Sequence, residues 1–274
     1  MQQPNIAPNL PTEVAQAAMA SQLGPLNHIY KPRISNPLAV IGIVAGIIIA
    51  DIILFLALLF LTDYIFYALI IIPIIAIVYG IYGLTHYNVR IYEFSAGLIA
   101  GKESKLDAIR WENIAVIWHD QQRTRRYGSY GLLGVFVLLI FKASVRDRYT
   151  LQRQDGTTII VDNRRVLHAE ILGSRIEREV VGLHMPQALT AYNSGQVLPF
   201  GPLQISQQGI IRGKGDLLPW PQVGNVMVDQ GRLLIKQQGK MFNWVALPLN
   251  KVPNVAVFTE LINYARQGAG QPLY

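Results

Sequence analysis

Gly97-Leu98-Ile99-Ala100-Gly101-Lys102 returns further along the chain as Gly209-Ile210-Ile211-Arg212-Gly213-Lys214. Beyond it, Trp111-Glu112-Asn113-Ile114 with Val116 matches Trp220-Pro221-Gln222-Val223 with Val226, allowing a shift of one residue. Each copy continues through a turn and more strand-like residues to a single amphipathic helix. Self-similarity of this kind marks a duplicated unit. Strands closed by one C-terminal helix predict a small, partly open barrel or sandwich, mainly β, with the helix plugging its open end. Trp111 and Trp220 open equivalent strands and read as core or rim anchors. Gly97, Gly101, Gly209 and Gly213 superficially suggest phosphate loops. Three residues separate the glycines instead of four, however, and neither Lys precedes Ser or Thr. They read instead as turn glycines with positive φ.

Working outward, YNVRIYEF, KLDAIRW, IAVIWHD, GVFVLLIF, YTLQRQ and TTIIVD are β-branched and aromatic runs between turn residues. A helical pattern covers 165–183, Met185-Pro186 breaks it, and a short helix follows to Gly195. Strands GPLQIS, GIIRG, GNVMVD, RLLIKQ and FNWVALP come next. A last helix spans Asn254 to Gln267, with Asn254 as its cap and Val257, Phe258, Leu261, Ile262 and Ala265 on its buried face. These readings divide the chain into a first β unit at 87–184, a helical linker at 185–198, a second unit at 199–268 and a tail at 269–274. Residues 1–37, rich in Gln, Pro, Asn and Ala, read as a disordered tail, with a short helix at Thr12 to Ser21 as an option and Thr12 as its cap.

Residues 38–84 hold two apolar runs, at 38–61 and 64–84, joined by Thr62-Asp63. A bilayer core about 30 Å thick takes about 20 apolar residues of helix. The expectation is therefore a transmembrane helical hairpin. Lys31 and Arg33 before it, and Arg90, Lys102, Lys105 and Arg110 after it, place both termini in the cytoplasm of a multi-pass inner-membrane protein. Asp51 falls near the middle of the first run, where a charge is costly. It reads as an intramembrane polar contact, with the Tyr79 hydroxyl within reach, either as interhelical glue or as a relay.

The 274 residues include 24 Lys and Arg against 17 Asp and Glu, a net charge of +7. Cytoplasmic-side lysines and arginines account for that surplus, so no nucleic-acid partner is expected. With no cysteine there is no disulfide framework or thiolate metal site. The five histidines show no ligand spacing, and no GxSxG elbow occurs; no metal, cofactor or catalytic residue is expected. Arg123-Thr124-Arg125-Arg126 followed by Tyr127-Gly128-Ser129-Tyr130 is the candidate contact surface. Arg123, Arg125, Arg126, Tyr127 and Tyr130 suit anionic lipid headgroups; a solvated hairpin loop is the other reading. Gly131 to Phe141 is too short to span and reads as a buried strand.

The element order resembles the pleckstrin-homology-like fold in tandem. Phe200-Gly201-Pro202-Leu203, Gly209-Ile210, Leu218-Pro219-Trp220, Pro253-Asn254 and Phe258 are also similar to an uncharacterised bacterial membrane-protein family, a domain of unknown function. The resemblance implies tandem PH-like barrels beside the hairpin and a non-enzymatic scaffold that binds membrane lipids, a protein partner or a second copy. The alternative is an accessory subunit of a transport or secretion complex, with Asp51 packed on a partner helix.

Overall fold

A four-stranded sheet, a three-stranded sheet and a closing helix occur in that order twice along the chain. The structure is a computed structural model and describes residues 10–58, 73–78, 80–84, 87–102, 105–123 and 145–268. In the first unit, β1 (Leu26–Tyr30), β2 (Arg90–Phe94), β3 (Gly97–Lys102) and β4 (Lys105–Arg110) pair antiparallel in sequence order. A 3-10 turn at Trp111–Asn113 leads to the sheet of β5 (Ile114–Arg123), β6 (Val145–Arg153) and β7 (Thr158–Asp162), and α3 (Ala169–Asn193) follows; α1 and α2 lie in the N-terminal part described below. The second unit repeats this with β8 (Leu198–Phe200), β9 (Leu203–Ser206), β10 (Gly209–Arg212) and β11 (Asp216–Pro219), then the turn Trp220–Gln222. Its three-stranded sheet is β12 (Val223–Asp229), β13 (Arg232–Gln237) and β14 (Asn243–Pro248), closed by α4 (Val255–Gly268).

Each unit buries its own core between the two sheets and the helix. Leu98, Ile109, Trp111, Ile114, Leu151 and Leu172 fill the first; Leu203, Ile210, Trp220, Leu233, Phe258 and Leu261 fill the second. The apolar face expected for the last helix is the one it buries. The repeat holds down to single bonds. Trp111 Nε1 donates to the Ser95 carbonyl and Trp220 Nε1 to the Gln207 carbonyl, each at 3.1 Å. The indole ring stays apolar-packed while its one donor is satisfied. At Gly97 and Gly209 neighbouring strands leave no room for a side chain: a Cβ would lie 2.1 Å from the carbonyl oxygen of Ile109 or of Leu218. Gly101, Gly209 and Gly213 have the expected positive φ, but only Gly213 lies in a turn, Gly101 and Gly209 being strand residues; Gly97 is needed for space alone.

Several expectations are overturned. The units are not closed barrels. Each keeps two separate antiparallel sheets, because β4 and β11 run through their 3-10 turns into strands that pair elsewhere. Among the described residues no helix is long and apolar enough to cross a membrane. That removes the transmembrane hairpin, the multi-pass inner-membrane placement and the integral-membrane scaffold and transport-subunit readings built on them. The first apolar run forms α2 (Pro37–Leu58), and the second is helical over 73–78 and 80–84. Thr62-Asp63 lies outside the described residues, and no helical hairpin is present among those described.

Residues 10–37 are likewise not a disordered tail. Residues Thr12–Ala20 form α1, and Val14, Ala18 and Leu23 bury against Tyr92, Phe94 and Ile99 as a third core. Pro11 precedes α1 and no side chain caps it, so Thr12 is its first residue and not its cap. Because Tyr30 pairs with Ile91, the apolar block is an excursion between adjacent strands of one sheet. Finally, α3 continues through the expected break with Pro186 inside it.

Candidate functional site

The two apolar helical stretches pack on each other through small residues. A Cβ on Gly83 would meet Val40 Cγ1 at 2.6 Å, and one on Gly80 would meet Val44 Cγ2 at 3.0 Å. Valines one turn apart on α2 thus seat in notches left by glycines, which lets backbones approach closely. Ala76 and Asp51 are buried as well. Asp51 Oδ1 is buried and has no hydrogen-bond partner among the described residues. Tyr79 lies outside the described residues, so the Asp51–Tyr79 contact does too, and its intramembrane setting falls with the hairpin. The remaining surface is open. Ile41, Ile43, Ile49 and Ile53 of α2, and Ile75, Val78 and Ile81 of its neighbour, are all exposed. At 100° per residue the four α2 isoleucines point around more than half of the helix. Apolar surface this broad marks an interaction face.

One asparagine carries hydrogen bonds from the second unit to the first. β5 ends its sheet, so one row of its peptide groups is unpaired within it. Asn254 supplies the partner: its N–H donates to the Ile117 carbonyl at 2.8 Å, and its Oδ1 accepts from the Ile117 N–H at 2.8 Å. Its Nδ2 donates to the Ala115 carbonyl at 3.3 Å. Asn254 thereby serves a strand in the other unit, and not its own helix as the capping expectation had it. Its φ of +50° is a conformation Asn tolerates better than most residues. Gly231 presses against the Gln121 carbonyl beside it.

Two buried polar clusters stiffen the first unit. Glu93 accepts from the Tyr30 hydroxyl at 2.9 Å and pairs with Arg175 Nε at 2.8 Å. Burial, with Glu93 beside it, pushes the Tyr30 hydroxyl above the ordinary phenol range. His119 stacks on Tyr149 with ring centroids 4.2 Å apart. Its Nε2 lies 3.2 Å from Asp147 Oδ1 and its Nδ1 3.4 Å from Glu177 Oε1. Both nitrogens can donate only in the imidazolium. Burial lowers the His119 pKa, but Glu177 and Asp147 together outweigh it and the net shift is upward. A raised folded-state pKa stabilises the fold fully below the unfolded value near 6.5, and that contribution is lost as pH rises through the folded value. The melting-temperature difference between wild type and His119→Gln is therefore expected to be greatest at pH 5.5–6 and to shrink toward pH 9; a difference constant across that range would refute the pairing.

Of the contact residues read from sequence, Arg123 ends β5, its side chain undescribed. Arg125, Arg126, Tyr127 and Tyr130, with the expected strand from Gly131 to Phe141, lie outside the described residues. The partners of His119 in space are Asp147 on β6 and Glu177 on α3, which no local spacing reveals. Asn254 was legible as a helix cap, but not as a bridge.

No curated protein and no solved structure matches the chain. A family of unknown function, DUF6585, matches residues 1–271, which takes in both units, α1 and the apolar excursion. The chain belongs to that family.

Proposed function

We propose that the protein is not an enzyme and that lipid is the partner covering its isoleucine face. The observation that carries this is the exposure of isoleucines around most of α2 together with those of the neighbouring helix. A protein groove covers one side of a helix, whereas acyl chains cover every side that is offered. Each isoleucine transferred from water contributes about 1.5–3 kcal/mol, so several together supply ample affinity. The duplicated β frame supports the reading as a rigid holder for this face, with Asn254 locking one unit to the other.

The full chain is expected to float with phosphatidylcholine vesicles in a density gradient. Ile43→Glu, Ile49→Glu and Ile53→Glu together should abolish flotation, each costing at least about tenfold in partitioning. A wild-type chain that stays monodisperse without detergent and does not float would overturn the proposal. So would a detergent-free complex of defined size that excludes lipid, which would assign the face to a second copy.

A further inference from the structure

A second, chemically opposite feature lies on the first unit. A cleft of about 310 Å³ opens between the β3–β4 end of the four-stranded sheet and β7, an edge strand of the other sheet. Gly101, Lys102, Lys105, Asp107, Thr158 and Arg165 supply its polar wall. Among the described residues three cations thus face one carboxylate. None of the three is ion-paired among the described residues. Lys102 is steadied by the Tyr87 ring, with Nζ 4.6 Å from the centroid, which leaves its N–H donors free to turn. Arg165 is half-buried, and its backbone is fixed by bonds to Asp162 and Arg33 on either side. Like charges held around one opening repel each other, which is unfavourable unless an anion sits among them.

The second unit provides an internal comparison. Its corresponding hairpin is shorter, turning through Gly213 and Gly215, and its cation Arg212 is paired with Asp216 on the neighbouring strand. Opposite Asp107 the first unit has Ala100 instead, so Asp107 has no such partner there. The second copy keeps a lysine, Lys214, where the first has Lys102, but not the unpaired set of three, so the duplicated frame does not by itself dictate a basic cleft.

We infer that this cleft binds a phosphate-bearing ligand. The Arg165 guanidinium can offer two parallel donors to phosphate oxygens, with Lys102 and Lys105 as point charges from the opposite wall and the Thr158 hydroxyl as a further donor. The phosphate can belong to a soluble ester or to a lipid headgroup. The inference does not depend on lipid covering the isoleucine face.

The test uses the full chain in a nonionic detergent, titrated calorimetrically with glycerol 3-phosphate, and the detergent-free chain with phosphatidylcholine vesicles with or without phosphatidate. Only the difference between the two vesicle types is read, since the isoleucine face contributes equally to both. Lys102→Gln with Lys105→Gln, and separately Arg165→Gln, should each weaken phosphate-dependent binding at least about tenfold, and Asp107→Asn should strengthen it severalfold. Unchanged melting temperatures would separate these effects from misfolding. Glycerol 3-phosphate binding that the variants lose supports a soluble ester; a phosphatidate-dependent gain alone, lost in the same variants, supports a headgroup. No binding of either probe by wild type, or equal binding by wild type and variants, overturns the inference.

Discussion

Phe258→Ala is expected to lower the free energy of unfolding by about 3–5 kcal/mol. Phe258 is wholly buried on α4 and meets Phe200 edge to face, with ring centroids 5.2 Å apart and planes at 67°. Phe200 belongs to β8, the first strand of its unit, so the pair joins the first strand of the unit to its last helix. Truncation removes the transfer free energy of a ring and leaves a cavity that close-packed neighbours fill only in part. Against a typical total of 5–15 kcal/mol, the variant should unfold at a much lower denaturant concentration. Phe258→Leu, which keeps most of the volume, should lose markedly less. Equal losses for the two would show that cavity formation is not the cause, and a loss for Ala under about 1 kcal/mol would show that the core is not packed as described.

The second large effect comes from one methyl group placed at either of two equivalent sites. Gly97→Ala and Gly209→Ala each drive a Cβ to 2.1 Å from a carbonyl oxygen on the adjacent strand. Backbone cannot swing aside as a flexible side chain can, so the strands must separate and β3–β4 or β10–β11 pairing must weaken. Overpacking typically costs about 1–3 kcal/mol and occasionally more; because backbone is the obstacle here, about 3 kcal/mol is expected at each site. Gly213→Ala is the control. Its φ is +57° but nothing lies within 4 Å, so only the left-handed conformation is penalised, at about 1–2 kcal/mol. Chemical denaturation of the three variants should rank Gly213→Ala as the mildest. Gly97 has no positive φ, so if Gly97→Ala loses no more than Gly213→Ala, strand contact is not what sets the cost.

These two predictions also mark how far sequence reading reaches. The matched glycines and tryptophans disclosed the duplication, because a turn or a close strand crossing needs the same residue type wherever it recurs. The buried face of α4 was legible from helical periodicity. The candidate sites were much less so. Lys102, Lys105 and Arg165 are separated by most of the first unit, and only the two sheets bring them to one opening. His119, Asp147 and Glu177 come from two strands and a helix. The break expected at Met185-Pro186 did not occur: α3 runs on, and its later turns bury Tyr192 and pack Met185, Ala188 and Leu189 against the second core, contacts between segments that local pattern does not show.

What the linear chain settles alone is short-range: which stretches alternate like strands, which carry a helical stripe, where glycine is obligatory, and that one segment is apolar throughout. All of these depend on neighbours within a turn or a hairpin. Tertiary structure decided the rest. β1 reaches across the whole apolar excursion to pair with β2, which turns an apparent tail into part of the first sheet, and α1 adds a core of its own. It also decided that the sheets stay open and that Asn254 bonds a strand in the other unit. Contacts of that kind are set by burial and by hydrogen-bond groups left over at sheet edges, quantities that exist only once distant segments have met.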